Sequence, residues 1–275
     1  MQLGNGDRSN VEDRRGLGGT GLKLGLGGTL VVAVLSLLFR QNLFAVIDQG
    51  GGGVDAPAAS GEADARKAGE SELEQVAVAS FNDAQGVWDK ALGQRWEPAR
   101  LVLFWDGTRS GCGDASSAMG PFYCPADQKV YIDLGFYREL DRRFGAPGDL
   151  AQAYVIAHEV GHHVQHLLGI DRKMRAAQDR SPQQANALSV RLELQADCLA
   201  GIWARTVADR GLLDVGDLEE AIGAAAAVGD DRLQKAATGE VHAESFTHGS
   251  AAQRTSWFRR GYDTTQLTAC DTFSE

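Results

Sequence analysis

Four cysteines are spread over 275 residues, and no two of them are separated by two positions. A structural zinc site of the paired-cysteine kind is therefore excluded, which leaves disulfides or buried thiols as the roles for cysteine. Cations are in deficit: 27 Lys and Arg face 37 Asp and Glu, a net charge of -10. That balance argues against a nucleic-acid partner. The acidic residues are scattered rather than blocked, so they form a solvated surface and not a binding tail. Long apolar runs are also scarce. One charge-free stretch stands out, residues 24–39 (LGLGGTLVVAVLSLLF), slightly short of the roughly 20 residues that span a bilayer.

Leu22 and the stretch 42–47 extend that run, and Lys23 and Arg40 can snorkel at its ends. Arg14 and Arg15 precede it while Asp48 and Asp55 follow it, which orients the N-terminus inside. The expectation is a cytoplasmic segment over 1–23, a transmembrane signal anchor over 24–47 in the lipid bilayer, and an extracytoplasmic remainder. A cleavable signal peptide competes, but Arg40-Gln41-Asn42-Leu43-Phe44 offers no small-residue cleavage site. Residues 48–70 are rich in Gly and Ala and read as a flexible linker. Residues 71–275 are left for one domain with a sizeable core. Its first helix is marked by Val76, Phe81 and Trp88. Strands are expected at 100–105 and 129–134, and scaffold helices at 217–228 and 231–237. The fold class is thus α+β, mostly helical with a small sheet, preceded by one transmembrane helix.

Residues 151–169, AQAYVIAHEVGHHVQHLLG, read as a buried helix carrying His158, Glu159 and His162. Histidines four apart share one helix face, so both imidazoles can reach one metal ion. Glu159 follows the first ligand and can act as general base on a metal-activated water. A core helix with satisfied histidines would bury Glu159 without compensation, which is costly. Gly161 costs roughly 1 kcal/mol of helix propensity and points to close packing or room for substrate. His158 and His166 lie about 12 Å apart along the axis, so one zinc cannot take both. Gln165 and Leu168 occupy the positions where a metzincin extension needs Gly and His. His163 and His166 are therefore placed at the rim, and the third ligand comes from elsewhere.

The best supplier is 181–211, a long helix framed by Ser181, Pro182 and Gly211. Glu193 and Asp197 are four apart among apolar neighbours. A zinc ion explains both, with Glu193 as third ligand and Asp197 holding the far nitrogen of a ligand histidine. A surface ion pair with Arg191 or Arg205 is the competing explanation.

H-E-V-G-H followed by E-L-Q-A-D resembles the gluzincin pattern. The runs VYIDLGFYRELDRRFGAPGDLAQAYVIAHEVGHHVQHLLG, ELQADCLAGIWA and FTHGSAAQRTSWFRRGY more closely resemble the neutral zinc metallopeptidases, bacterial proteins with an N-terminal membrane segment. The likeness covers about residues 1–40 and 70–270. It implies a zincin-like domain and a zinc peptidase acting on a peptide or protein, without naming a substrate. His248, six positions before Arg254, resembles the H-P-x-x-x-x-R element of membrane-associated metallopeptidases, with Gly249 in place of the proline. On that resemblance His248 donates to the oxyanion and Arg254 supports the site; a loop-capping role for His248 competes. By resemblance and chain order, 130–133 is the candidate sheet edge for an extended substrate, an ordinary core strand being the other reading.

Cys112 and Cys124 flank a Gly/Ser-rich excursion that a disulfide would close, and Cys198 and Cys270 can staple the tail to the ligand helix. Four cysteines allow three pairings, and local spacing favours this one over free thiols. Two other function classes stay open: a zinc-binding interaction module without catalysis, and a zinc hydrolase of a non-peptide amide in the cell envelope.

Overall fold

The computed structural model describes residues 1–16, 59–142 and 145–274. Strand β2 (Arg100–Leu103) forms the middle of the main sheet because Leu101, Val102 and Leu103 are an unbroken apolar run buried on both faces. It pairs in parallel with β6 (Lys129–Ile132) on one side and β1 (Val11–Asp13) on the other. β5 (Phe122–Cys124) runs antiparallel to β6 and closes the order β1-β2-β6-β5. A separate hairpin, β3 (Gly107–Ser110) with β4 (Gly113–Ser116), follows β2. Successive side chains point to opposite faces. Leu101, Leu103, Val130 and Ile132 enter the main core, whereas Val102, Phe104 and Tyr131 build a small second one with Phe122.

Helices cover the main face. α1 (Ala59–Gly69) leads into α2 (Ser71–Leu92), which buries Ala77, Phe81, Ala84 and Trp88 at the spacing of one helix face. After α3 (Gly135–Arg142) comes α4 (Asp149–Leu167), buried on nearly every face, polar residues included, and therefore central. Gly169, at φ 73°, stops it in the left-handed region. α5 (Ile170–Arg180) precedes α6 (Ala185–Asp209). Pro182–Gln184 form a 3-10 turn before α6, and Ser181 makes no side-chain cap, so the ligand helix starts later than the sequence suggests. α7 (Asp217–Ala227), α8 (Asp230–Thr238) and α9 (Ala251–Thr264) complete the domain. Ser250 and Gln253 form a reciprocal capping box on α9.

The architecture is α+β, mostly helical with small sheets, and the expected preceding membrane helix is corrected. Among the described residues no helix is long and apolar enough to cross a membrane, and residues 24–47 lie outside them. The N-terminal segment bears on this too. β1 is hydrogen-bonded into the same sheet as β2, and Arg15 is buried between Asp13, Glu70 and Glu74. A single crossing between β1 and α1 would put these partners on opposite sides of a bilayer. The stretch read as linker also contains α1, whose Arg66 stacks on Trp105 at 4.3 Å and whose Lys67 reaches Asp13. The candidate edge 130–133 lies in and just after β6, which is an interior strand; the edge strands of this sheet are β1 and, beside β6, β5.

Candidate metal centre

α4 and α6 cross closely enough to bring His158, His162 and Glu193 together. A Cβ on Gly161 would sit 3.2 Å from the carbonyl oxygen of Ala196, so the glycine inside the motif serves close packing of the two helices. One donor atom from each of the three residues lies within 4.8 Å of the others. His158 Nε2 is 3.1 Å and His162 Nε2 3.5 Å from the Glu193 oxygens. Ligands about 2.0–2.1 Å from a tetrahedral zinc stand about 3.3 Å apart, so two imidazoles and a carboxylate at these spacings fit that ion. The donors lie at the base of a cleft of about 620 Å³ whose walls include Phe122, Tyr123, Phe136, Met174 and His248. Glu159 lines the same cleft beside His158, 7% exposed.

The far nitrogens of both histidines are held. Asp197, fully buried, accepts from His158 Nδ1 at 2.9 Å, from Tyr154 Oη, and from Arg254 through Nε and Nη2 at 2.9 Å each. A carboxylate only accepts, so His158 Nδ1 carries the proton and Nε2 is left for a metal. His162 Nδ1 is 2.8 Å from Gln165 Oε1. Burial pushes the Glu193 carboxyl up, but the imidazoles of His162 and His158 outweigh it and hold it well below the usual range. Burial likewise opposes protonation of His158, yet Asp197 and Glu193 outweigh it and raise its pKa to about 10. Both shifts state that the space between the three donors favours positive charge.

His248 lines the cleft with its side chain about half exposed. Asp230 positions it: one carboxylate oxygen takes the backbone N–H groups of Thr247, His248 and Gly249, and the other is 3.1 Å from His248 Nδ1. Burial lowers the His248 pKa, and Asp230 together with the Glu193 carboxylate more than restores it, so the net shift is upward. Arg254 also lines the cleft, and its guanidinium locks Asp197 behind His158. His163 and His166 stand apart from the three donors. His163 Nε2 donates to the Glu97 carbonyl at 2.6 Å and Nδ1 therefore accepts from Tyr123 Oη at 2.8 Å, pinning the edge strand β5 to α4. His166 pairs with Asp171 at 2.8 Å, and His242 is exposed near Glu240 and Glu244.

Sequence reasoning missed Tyr154, Gln165, Gln195 and Asp230. Two had a signal in helical spacing: Tyr154 is four residues before His158, and Gln165 three after His162. Asp230 is 18 positions from His248 and had none. The disulfides are Cys112–Cys124 and Cys198–Cys270, with Cα atoms 5.8 and 5.6 Å apart.

Residues 2–273 match the family model described as "Putative neutral zinc metallopeptidase". The chain is 44% identical over 283 residues to "Uncharacterized protein YpfJ" of Escherichia coli K12, covering 99% of this chain and 98% of that protein. It is 46% identical over 208 residues to "Uncharacterized protein Rv2575" of Mycobacterium tuberculosis H37Rv, covering 72% and 69% of the two chains. No solved structure matches it.

Proposed function

Since the chain belongs to the neutral zinc metallopeptidase family, we propose that it hydrolyses peptide bonds, with zinc held by His158, His162 and Glu193. The observation that carries this reading is the convergence of those three donors at the base of a cleft that also holds Glu159. Zinc, when bound, supplies Lewis-acid polarisation of a carbonyl and acidification of water. Glu159 takes the proton of the attacking water and passes it to the leaving amine. His248, oriented by Asp230, donates a hydrogen bond to the carbonyl oxygen as charge develops on it. Asp197 and Gln165 fix an N–H on the far nitrogen of each histidine, so that Nε2 is the nitrogen a metal would take in place of a proton.

β5 supports a peptide substrate. β6 occupies one of its sides, and Phe122 and Tyr123 line the cleft, so an extended backbone can pair with the other side. The two disulfides favour an oxidising compartment outside the cytoplasm. The test is zinc content and peptide hydrolysis of the full chain beside Glu159→Gln and Glu193→Ala. One zinc per chain in the parent and in Glu159→Gln, hydrolysis only in the parent, and metal loss in Glu193→Ala are expected. Zinc retained at parental affinity by Glu193→Ala would refute the ligand set.

A further inference from the structure

The two ligand histidines are held by unlike partners. Asp197 on His158 is anionic and its charge is met by Arg254, whereas the partner of His162 is a neutral amide at the head of a buried chain of amides. Gln165 is fully buried, and Gln195 is 6% exposed. Gln195 Nε2 donates to the carbonyl oxygen of Cys270 at 2.8 Å. Gln165 Nε2 donates to Gln195 Oε1 at 3.0 Å and to the carbonyl oxygen of Leu192 at 2.7 Å. Gln165 Oε1 then faces His162 Nδ1.

The direction of every bond in this chain is dictated by two backbone carbonyls, which can only accept. Cys270 obliges Gln195 to turn its amino group toward the tail and its oxygen toward Gln165. Leu192, together with that oxygen, obliges Gln165 to present its amino group to α6. The remaining Gln165 oxygen meets His162 and can be satisfied only by an Nδ1–H. Turning either amide over would set oxygen against oxygen in a buried site, at the cost of an unsatisfied polar group on each side.

We propose that Gln165 and Gln195 are positioning residues that impose the Nδ1–H tautomer on His162, with the polarity of the relay set by the carbonyls of Leu192 and Cys270. The consequence at the cleft is that His162 Nε2 presents its lone pair toward Glu193 and His158. The relay also gives the C-terminal tail a role. Cys270 is bonded to Cys198, and Cys198 follows Asp197 on α6, so the carbonyl that starts the relay is anchored to the helix that carries the third donor.

As a statement about zinc the proposal rests on the ligand set above; as a statement about tautomer it does not, and the experiment separates the two. The full chain is labelled with nitrogen-15 in its six histidines, freed of metal and titrated through and above the His158 pKa of about 10, so that the neutral imidazoles are observed. Nitrogen shifts then read which ring nitrogen of His162 carries hydrogen, in the parent, Gln165→Met and Gln195→Met. The parent is expected to show Nδ1–H alone. Gln165→Met is expected to show a mixture at His162 with His158 unchanged, and Gln195→Met, where Leu192 still orients Gln165, a smaller shift in the same direction. Chelator competition is expected to show zinc bound about 10–100-fold more weakly by Gln165→Met, the range for loss of a partner behind a metal ligand. An Nε2–H tautomer in the parent, or an unchanged His162 in Gln165→Met, overturns the proposal. A parent with the expected tautomer that takes up no zinc overturns the zinc reading and leaves the relay standing. If Gln165→Met fails to fold, Gln195→Met decides: a His162 tautomer identical to the parent in that variant counts against the relay.

Discussion

Gly201→Ala is expected to lower the melting temperature by about 5–10 °C, although Gly201 touches no donor atom. α6 and α9 meet backbone to backbone. A Cβ at 201 would lie 2.0 Å from the carbonyl oxygen of Phe258 and 2.9 Å from the nitrogen of Tyr262; one at 261 would lie 1.9 Å from the carbonyl oxygen of Cys198. Carbon and oxygen rest at about 3.2–3.5 Å, so the contact must open by about 1.2–1.5 Å, because backbone atoms cannot rotate out of the way. Alanine gains about 1 kcal/mol of helix propensity over glycine, and overpacking costs about 1–3 kcal/mol or more. With rigid obstacles on both sides the cost lies at or above the upper end, about 3–4 kcal/mol, for a net loss of about 2–3 kcal/mol. A domain of this size loses about 2–4 °C per kcal/mol.

The assay is thermal unfolding of the metal-free chain by circular dichroism, with Gly86→Ala as the control. Gly86 is helical, and an added Cβ there meets nothing within 4 Å, so its substitution is expected to raise the melting temperature through propensity alone. Gly201→Ala melting at or above the parent, with Gly86→Ala behaving as stated, would refute the reasoning. There is a functional corollary. Arg254 lies seven residues, two turns, before Gly261 on α9, and its 2.9 Å bonds to Asp197 span the same seam. Opening the seam therefore weakens the hold on His158, and zinc affinity is expected to fall with stability.

The other expectations concern the disulfides, the N-terminal strand and the cleft. Chain-entropy arguments assign about 4 kcal/mol to closing the 72-residue separation of Cys198 and Cys270, and about 3 kcal/mol to the 12-residue separation of Cys112 and Cys124. Urea unfolding of the paired Cys→Ser variants is expected to show the larger loss for the first; the reverse order would contradict the entropic account. Burial raises the Asp13 carboxyl, but the Arg15 side chain and backbone N–H outweigh it and hold its pKa down to about 2. A depressed folded pKa stabilises above the ordinary carboxylate range and loses that contribution as pH falls through 2. After allowance for solvent screening this is about 1 kcal/mol, lost between about pH 4 and 2. Asp13→Asn is expected to remove that part of the acid dependence in urea titrations, and an unchanged dependence would show that β1 does not hold as described. His248→Ala is expected to lower kcat about 10²-fold at unchanged zinc content; equal losses of zinc and rate would assign His248 to folding instead.

What was legible in the sequence was what a single helix encodes. His158, Glu159 and His162, and separately Glu193 and Asp197, are read from spacings of one and four residues, and the structure brings the two sets together. Strand order is not encoded that way. The excursion between Cys112 and Cys124 looks like a loop because Gly and Ser dominate it, yet it holds β4 and leads into the edge strand. The N-terminal Val11-Glu12-Asp13-Arg14-Arg15 looks like a solvated leader because its charges carry no mark of their partners. In the fold, Arg15 is 4% exposed, and a buried ion network of Glu70 and Glu74 with Arg15 and Arg138 takes the place that apolar side chains would have made visible.

α6 shows why the remaining residues were hidden. At 100° per residue, Glu193 and Asp197 face α4, whereas Gln195, two positions from each, faces the buried amide chain and the tail, and Cys198 and Gly201 face the C-terminal segment and α9. A stretch of nine residues thus carries a metal donor, the partners of both ligand histidines directly or through Gln165, a disulfide and a backbone contact. Each appears in the sequence as one apolar or polar letter in an ordinary helical pattern. Their functions come from what lies opposite: Arg254 and Gly261 from α9, Cys270 from the tail, Gln165 and the two histidines from α4. Because these partners share one rigid helix, a shift that relieves one contact displaces the others. Substitutions along 193–201 should therefore not be additive in stability or in zinc affinity, as is general for residues sharing a packed network.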